Sequence, residues 1–319
     1  MSAATAQPGD AGASGWPGPV GEAGAADHPG EPSHVADDLA FTQVDVFGTE
    51  PYLGNPLAVV LGAEGLSAAQ MRKVARWTNL SETTFVLPPT HDGADYRVRI
   101  FTPAEELAFA GHPTLGTAHA WLEARGEMLS EVPVGRTLVQ ECGTGLVRLR
   151  RTAEGLAFAA PPLVRSGPVE QALVTGLAGA LGLGANAVEA AAWVDNGPGW
   201  VALQLASARA VLGVALPKRL DHKVGLVGWH PPGGPAAYEV RAFFPKDSQG
   251  TVAEDPVTGS LNASLAQWLL GAGKVSAPYA ASQGAALGRR GLVHIDLDSD
   301  GAVWVAGRTV SCVRGYITA

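Results

Sequence analysis

Three titratable residues stand where short polar motifs meet apolar runs: Glu82 in Ser81-Glu82-Thr83-Thr84, His112 in Gly111-His112-Pro113-Thr114, and Asp255 in Glu254-Asp255-Pro256-Val257. Two acids and a histidine are the residue types of general acid and base catalysis, in which a group held out of water takes a proton from one atom and returns it to another. Each also has a plainer reading. Glu82 can be a surface carboxylate at a strand end, His112 a satisfied histidine, and Asp255 only an N-cap. Spacing alone leaves the two readings of Glu82 level and favours the plainer one for His112 or Asp255 taken singly.

The elements that would position these groups follow from local pattern. Proline suits the first turn of a helix, where its missing amide would have no partner, so His112-Pro113 and Asp255-Pro256 each predict a helix start. After Pro113 the residues Leu115, Ala118, Ala120, Trp121 and Leu122 are apolar nearly all round, and so are Leu261, Ala263, Leu265, Trp268 and Leu269 after Pro256. Helices of that kind are buried centrally. A buried helix whose N-terminus opens into a cleft offers unpaired amides and partial positive charge, and two such ends facing each other would hold a carboxylate. Upstream, Phe41 to Phe47 reads as a strand, Gly54-Asn55-Pro56 as a turn and Leu57 to Leu61 as a second strand. Ser67 with Gln70 predicts a capping box, and a helix ending near Asn79 carries Met71, Val74 and Ala75. Glu82 then falls at the start of the β-branched strand through Leu87, and Tyr96 to Phe101 is the next strand.

The chain also repeats itself. Arg97-Val98-Arg99-Ile100-Phe101-Thr102-Pro103 matches Glu239-Val240-Arg241-Ala242-Phe243-Phe244-Pro245 at an offset of 142. Gly111-His112-Pro113-Thr114-Leu115-Gly116 faces Glu254-Asp255-Pro256-Val257-Thr258-Gly259 at 143, which one inserted residue would explain. Asn55-Pro56 before an apolar run matches Gly197-Pro198 before Gly199 to Leu203, again at 142. Two copies of one strand-rich unit are expected. In this alignment His112 and Asp255 occupy symmetric places, and a divergence there points to function rather than folding.

Composition bounds the remaining choices. The 319 residues are 46% hydrophobic, enough for two domains. Six acids and no Lys or Arg lie in residues 1–38, so the net charge of −8 leaves a body near −2 with no basic field for nucleic acid. That Gly, Ala and Pro-rich stretch reads as a disordered extension without chemistry, its His28 and His34 solvated. No apolar run suits a membrane span and no signal peptide is recognisable, so a cytoplasmic protein is expected. Cys142 and Cys312 match no metal or CxxC spacing and are expected as small core residues at strand edges. His119, His222, His230 and His294 lack matched partners and read as structural or solvated, and Trp193 and Trp200 as core filling.

In these motifs the sequence resembles the PhzF-like phenazine biosynthesis family, and through it the diaminopimelate epimerase fold. The segments that carry the resemblance are Asp45-Val46-Phe47, Gly54-Asn55-Pro56-Leu57-Ala58-Val59, Leu80-Ser81-Glu82-Thr83-Thr84-Phe85-Val86 and Phe101-Thr102-Pro103. Further on come Glu106-Leu107, Phe109-Ala110-Gly111-His112-Pro113-Thr114, Glu254-Asp255-Pro256-Val257-Thr258-Gly259-Ser260, and Gln283-Gly284 with Gly288-Arg289. They run in the family's order from Leu39 almost to the C-terminus.

The resemblance implies an α+β fold of two pseudo-symmetric lobes, each a mostly antiparallel sheet wrapped around a central helix, with the active site in the cleft between them. The expected boundaries are an extension over 1–38, a first lobe over 39–135 and a second over 136–319, the last residues free to return to the first lobe. It further implies an isomerase that shifts a proton on a small carboxylate-bearing substrate such as a dihydro-hydroxyanthranilate, without metal or organic cofactor, and a homodimer. By the same resemblance Glu82 moves the proton, His112 and Asp255 are catalytic, and Ser260 with the amides of Gly111 and Gly259 holds the carboxylate. Epimerases and racemases of this fold carry a cysteine at each helix start, and this chain has neither. An epimerase of an amino acid derivative and a non-catalytic carboxylate-binding relative are the alternatives.

Overall fold

The computed structural model describes residues 38–184, 186–247 and 249–319. The expected extension, apart from Asp38, lies outside the described residues.

A first series of elements comprises β1 (Asp38–Val46), β2 (Asn55–Val60), α1 (Ala68–Thr78), β3 (Thr83–Leu87), β4 (Tyr96–Phe101), β5 (Glu106–Leu107), α2 (Gly111–Ala124), β6 (Thr137–Cys142), β7 (Gly145–Thr152) and β8 (Gly155–Ala159). A second series follows: β9 (Arg165–Pro168), α3 (Gln171–Ala180), β10 (Val188–Asp195), β11 (Trp200–Leu205), α4 (Ala208–Leu212), β12 (Lys223–Trp229) and β13 (Tyr238–Pro245). It closes with β14 (Val252–Asp255), α5 (Gly259–Gly271), β15 (Tyr279–Gln283), β16 (Gly291–Leu297), β17 (Val303–Gly307) and β18 (Thr309–Thr318).

Strand pairing makes the repeat visible. β2 runs parallel to β3 and β4 to β6, just as β11 runs parallel to β12 and β13 to β15. The other pairings are antiparallel, β8 meets β17 where the two sheets join, and β18 covers β1 as β9 covers β10. The sequence boundary expected at 135/136 does not follow this ladder, because β6 to β8 belong to the sheet of β4.

Alternation within strands gives each sheet two apolar faces. In the first series Val44, Val46, Leu57 and Val59 pack on Leu115, Ala118 and Leu122 of α2. Val60, Phe85 and Phe101 instead meet Met71, Val74 and Ala75 of α1. That helix begins at the capping box of Ser67 and Gln70 and stops at Asn79, which takes the left-handed conformation at φ 53°. In the second series Ala192, Trp200, Ala202 and Val227 pack on Leu261, Leu265 and Leu269 of α5. Val201, Leu203, Val224 and Phe243 turn outward to Val174, Leu177 and Val211 of α3 and α4. Close approach of α2 depends on Gly116, where a Cβ would lie 2.6 Å from Leu57 and 2.9 Å from Val46.

The structure corrects the alignment of the two copies. Arg99 makes a two-pronged ion pair to Glu106 at 2.7 Å and Arg241 does the same to Glu254 at 2.8 and 2.7 Å. Ile100 pairs with Leu107 as Ala242 pairs with Asp255. The β13–β14 hairpin is therefore six residues longer than its counterpart, and the offset rises from 142 to 148 across it. The structural equivalent of Gly111-His112 is Gly259-Ser260, while Asp255 corresponds to Leu107. Upstream, the pairs Ala58 with Thr83 and Val201 with Val224 set the offset at 143, one more than the proline match suggested.

Candidate active site

The tips of α2 and α5 meet through glycine. A Cβ on Gly259 would lie 3.0 Å from the His112 nitrogen and 3.2 Å from Gly111 Cα, and one on Gly111 would strike Phe158 at 2.6 Å. Only glycine lets the two backbones come this close. Neither expected helix start is at its proline: α2 has Ala110 as N-cap and Pro113 at its third position, and α5 has Thr258 as N-cap. Asp255 is thus the last residue of β14 rather than a cap. Neither N-cap supplies a side-chain bond, so the first-turn amides, which have no intrahelical acceptor, remain for a ligand.

Glu82 precedes β3 and turns toward the tip of α2, where its Oε2 lies 3.4 Å from His112 Nε2. The side chains are 16% and 6% exposed, and neither of these two facing atoms makes a hydrogen bond among the described residues. Burial raises the Glu82 carboxyl to about 8, the Asp255 charge pushes it the same way, and Lys223 draws it down. Burial depresses His112 to about 3, so its imidazole is neutral at ordinary pH. Asp255 is raised to about 6 by burial, against the downward pull of hydrogen bonds from Thr258 and Asn55, with Glu254 adding to the rise. Glu82 and Asp255 therefore share one desolvated neighbourhood, and the first holds its proton more tightly than the second.

A hydrogen-bond chain fixes the acid and the histidine. Asn55 Nδ2 donates to Asp255 Oδ1 at 3.0 Å and to the Val257 carbonyl at 2.9 Å, and approaches His112 Nδ1 at 3.5 Å. Asn55 Nδ2 can only donate, so where it bonds the ring it does so to Nδ1, the arrangement that leaves the proton of neutral His112 on Nε2, facing Glu82. Thr258 Oγ1 donates to Asp255 Oδ2 at 2.6 Å, and Gln283 holds Thr258 through its Oε1 and Nε2 at 3.0 and 2.9 Å. Asn262 Nδ2 adds a bond to Gln283 Oε1 at 2.7 Å. Asn55, Asn262 and Gln283 are at most 2% exposed, so a lost bond leaves a buried polar group unpaired.

The residues that the resemblance implies for the site, Glu82, His112, Asp255, Gly111, Gly259 and Ser260, lie at or beside these two tips. Ser260 stands at the second position of α5, its Oγ receiving the Trp200 indole N–H at 3.1 Å and its carbonyl the Asn196 amide at 2.9 Å. Trp200, expected to fill a core, thus also braces the site. In the sequence Asn55, Thr258 and Gln283 stand only as members of motifs without an assigned role, and Asn262 in none. Their shared signal is a polar side chain inside an otherwise apolar element. His119 and His230 lie outside, the first bonding Ser311 at 3.1 Å and the second Ser282 at 2.8 Å. Cys142 and Cys312 are free and partly buried; Cys142, at the end of β6, packs against the core of the first series, and Cys312 lies within β18.

Two surface cavities, of 320 Å³ beside His230 and Tyr279 and 550 Å³ beside Leu173 and Arg219, include none of Glu82, His112 or Asp255. Neither holds a desolvated acid facing an uncapped helix tip, so the chemistry is placed at α2 and α5. Among the described residues no three His, Cys, Asp or Glu side chains group as a metal would need, and no helix is long and apolar enough to cross a membrane.

Residues 44–315 match the family described as phenazine biosynthesis-like protein. The chain is 35% identical over 298 residues to antisense-enhancing sequence 1 of Schizosaccharomyces pombe, spanning 86% of this chain and 97% of that protein. A stretch of 80 residues, 25% of this chain and 28% of the other, is 55% identical to trans-2,3-dihydro-3-hydroxyanthranilate isomerase of Pseudomonas aeruginosa. The solved structure of a predicted epimerase from the same bacterium is similar, with a TM-score of 0.68 and 26% identity over 88% of this chain and 99% of that one.

Proposed function

The chain belongs to the phenazine biosynthesis-like protein family and is an isomerase, and from that premise we propose that it moves a proton on a small carboxylate-bearing substrate, with Glu82 taking and returning it. The observation that carries this reading is the meeting of Glu82 with neutral His112 at 3.4 Å, beside Asp255 and two uncapped helix tips.

The tips of α2 and α5, with Ser260 Oγ and the amides at Gly111 and Gly259, bind the substrate carboxylate. That anchoring sets the carbon skeleton against Glu82. At pH 7 about a tenth of Glu82 is ionised for a group titrating near 8. This carboxylate removes a proton from a carbon acidified by the neighbouring unsaturation and returns it to a second carbon as the acid. A pKa close to the working pH lets one group serve as base and then acid. His112 Nε2–H faces the reacting carboxyl and steadies its anionic form, while Asp255 keeps the base strong. The C–H electron pair becomes the new double bond and the old double bond shifts to bind the returned proton, so the step is redox-neutral and acid and base groups suffice.

The test is turnover of trans-2,3-dihydro-3-hydroxyanthranilate, the compound in the relative's name, by wild type and Glu82→Gln. The reading requires loss of at least about a thousandfold in kcat, the upper part of what general acid and base groups supply. A folded variant that keeps wild-type turnover sinks it. The similarity to a predicted epimerase favours one second reading, exchange at a stereocentre of an amino acid derivative. In D2O an epimerase labels that carbon, whereas the proposed shift labels the carbon that receives the proton. A cytoplasmic homodimer belongs to the same proposal, and sedimentation equilibrium at twice the chain mass is its check.

A further inference from the structure

We propose that Lys223 is a substrate-binding residue of this cleft, its ammonium pairing with the substrate carboxylate beside Ser260 at the tip of α5. The inference rests on the cleft being the isomerase site and adds the group that selects an anion there.

Internal symmetry places the residue. Thr83 pairs with Phe101 and Ala58 in the first sheet, and Val224 pairs with Phe243 and Val201 in the second. With Phe101 and Phe243 equivalent at the offset of 142, the antiparallel ladders make Thr83 the equivalent of Val224, and Glu82 the equivalent of Lys223. The acid and the ammonium stand at the same position of the two copies, each just before a buried strand residue.

Facing direction follows from alternation. Two residues after Glu82, Thr84 Oγ1 receives a bond from Thr117 of α2 at 2.8 Å. Two residues after Lys223, Gly225 sits so close to α5 that a Cβ there would lie 2.5 Å from Leu261, the neighbour of Ser260. Residues two apart share a face, so Glu82 turns to the tip of α2, as its 3.4 Å approach to His112 shows, and Lys223 turns to the tip of α5. The partner strand agrees. Lys223 pairs in parallel register with Trp200, whose indole N–H reaches Ser260 Oγ at 3.1 Å.

The ammonium has no protein partner to neutralise it. Lys223 is half-buried, and among the described residues its side chain makes no hydrogen bond or ion pair, while its charge is felt at Glu82. A half-buried cation left unpaired beside a hydroxyl and uncapped amides suits a carboxylate, which accepts from all three.

The probe is anthranilate, followed by its own fluorescence, with anthranilamide as the uncharged control, against wild type, Lys223→Met and Lys223→Arg. The expected result is anthranilate binding at least about tenfold weaker in Lys223→Met, within about threefold of wild type in Lys223→Arg, and anthranilamide binding the same in all three. In turnover, KM for a carboxylate substrate rises by a similar factor while kcat stays within about threefold. Equal anthranilate affinity in wild type and a Lys223→Met variant with native circular dichroism overturns the proposal, as does a wild type that binds anthranilate no better than anthranilamide. Glu82→Gln is titrated alongside. Full turnover by that variant removes the role given to Glu82 and leaves the Lys223 result standing on its own.

Discussion

Replacing Glu82 by Gln should abolish turnover and at the same time stabilise the protein, by an amount that grows with pH. The folded chain holds the Glu82 proton up to about 8, against an ordinary value of 4.5. A raised carboxyl means that the unfolded chain ionises first, so each pH unit between those limits costs the folded state about 1.36 kcal/mol. Over the whole window of about 3.5 units the ceiling is about 5 kcal/mol, fully present above pH 8 and absent below 4.5. Glutamine fills the same space and carries no such cost. Burial of His112 acts in the opposite sense, because its folded value near 3 makes stability fall as pH drops from 6.5. Both proteins share that contribution, so it cancels in their difference. Urea unfolding of wild type and Glu82→Gln at about pH 5 and about pH 8.5 reads the difference directly. The advantage of the variant should grow by about 3 to 5 kcal/mol between the two conditions. An advantage that is the same at both, or one that shrinks at the higher pH, refutes the claim that the carboxyl is desolvated.

Asp255→Asn removes a charge that raises Glu82, so the midpoint of the kcat/KM profile should move below about 8, whereas Lys223→Met should move it above; pH-rate profiles distinguish the two. Gly259→Ala would press a methyl to 3.0 Å from the His112 nitrogen, and thermal unfolding should show a loss of about 1 to 3 kcal/mol together with reduced turnover. Arg241→Met leaves Glu254, 4% exposed, without its partner and should cost about 3 to 5 kcal/mol in urea unfolding. The symmetric Arg99→Met, in a pair 27% and 36% exposed, should cost about 1 kcal/mol or less.

What could be read from the sequence was whatever depends on near neighbours. The capping box at Ser67 and Gln70 and the buried strand at Thr83 to Leu87 are local patterns, and both elements form where the pattern puts them. The repeat was legible because Tyr96 to Phe101 and Tyr238 to Phe243 keep the same strand chemistry in both copies. Its register past the hairpin was not, since a loop carries no periodicity to count, and the six extra residues at β13–β14 made Asp255 look like the mate of His112. The proline rule put the start of α2 within two residues, Pro113 lying in its first turn, but placed that of α5 three residues early, because the tips are set by glycine contact across 148 residues, which no local signal records. Glu82, His112, Asp255 and Ser260 were found through motifs. Asn55 and Gln283 escaped because their value lies in partners such as Asp255, 200 residues from Asn55. Lys223 escaped for the same reason, its meaning appearing only when two strands are laid over each other.

The account turns on a single carboxyl kept protonated near neutrality where two related sheets bring their helix tips together. Carbon-13 NMR of glutamate carboxyls, assigned by the missing signal in Glu82→Gln, measures its titration directly. The structure predicts a midpoint near 8, and a midpoint near the ordinary 4.5 would contradict it.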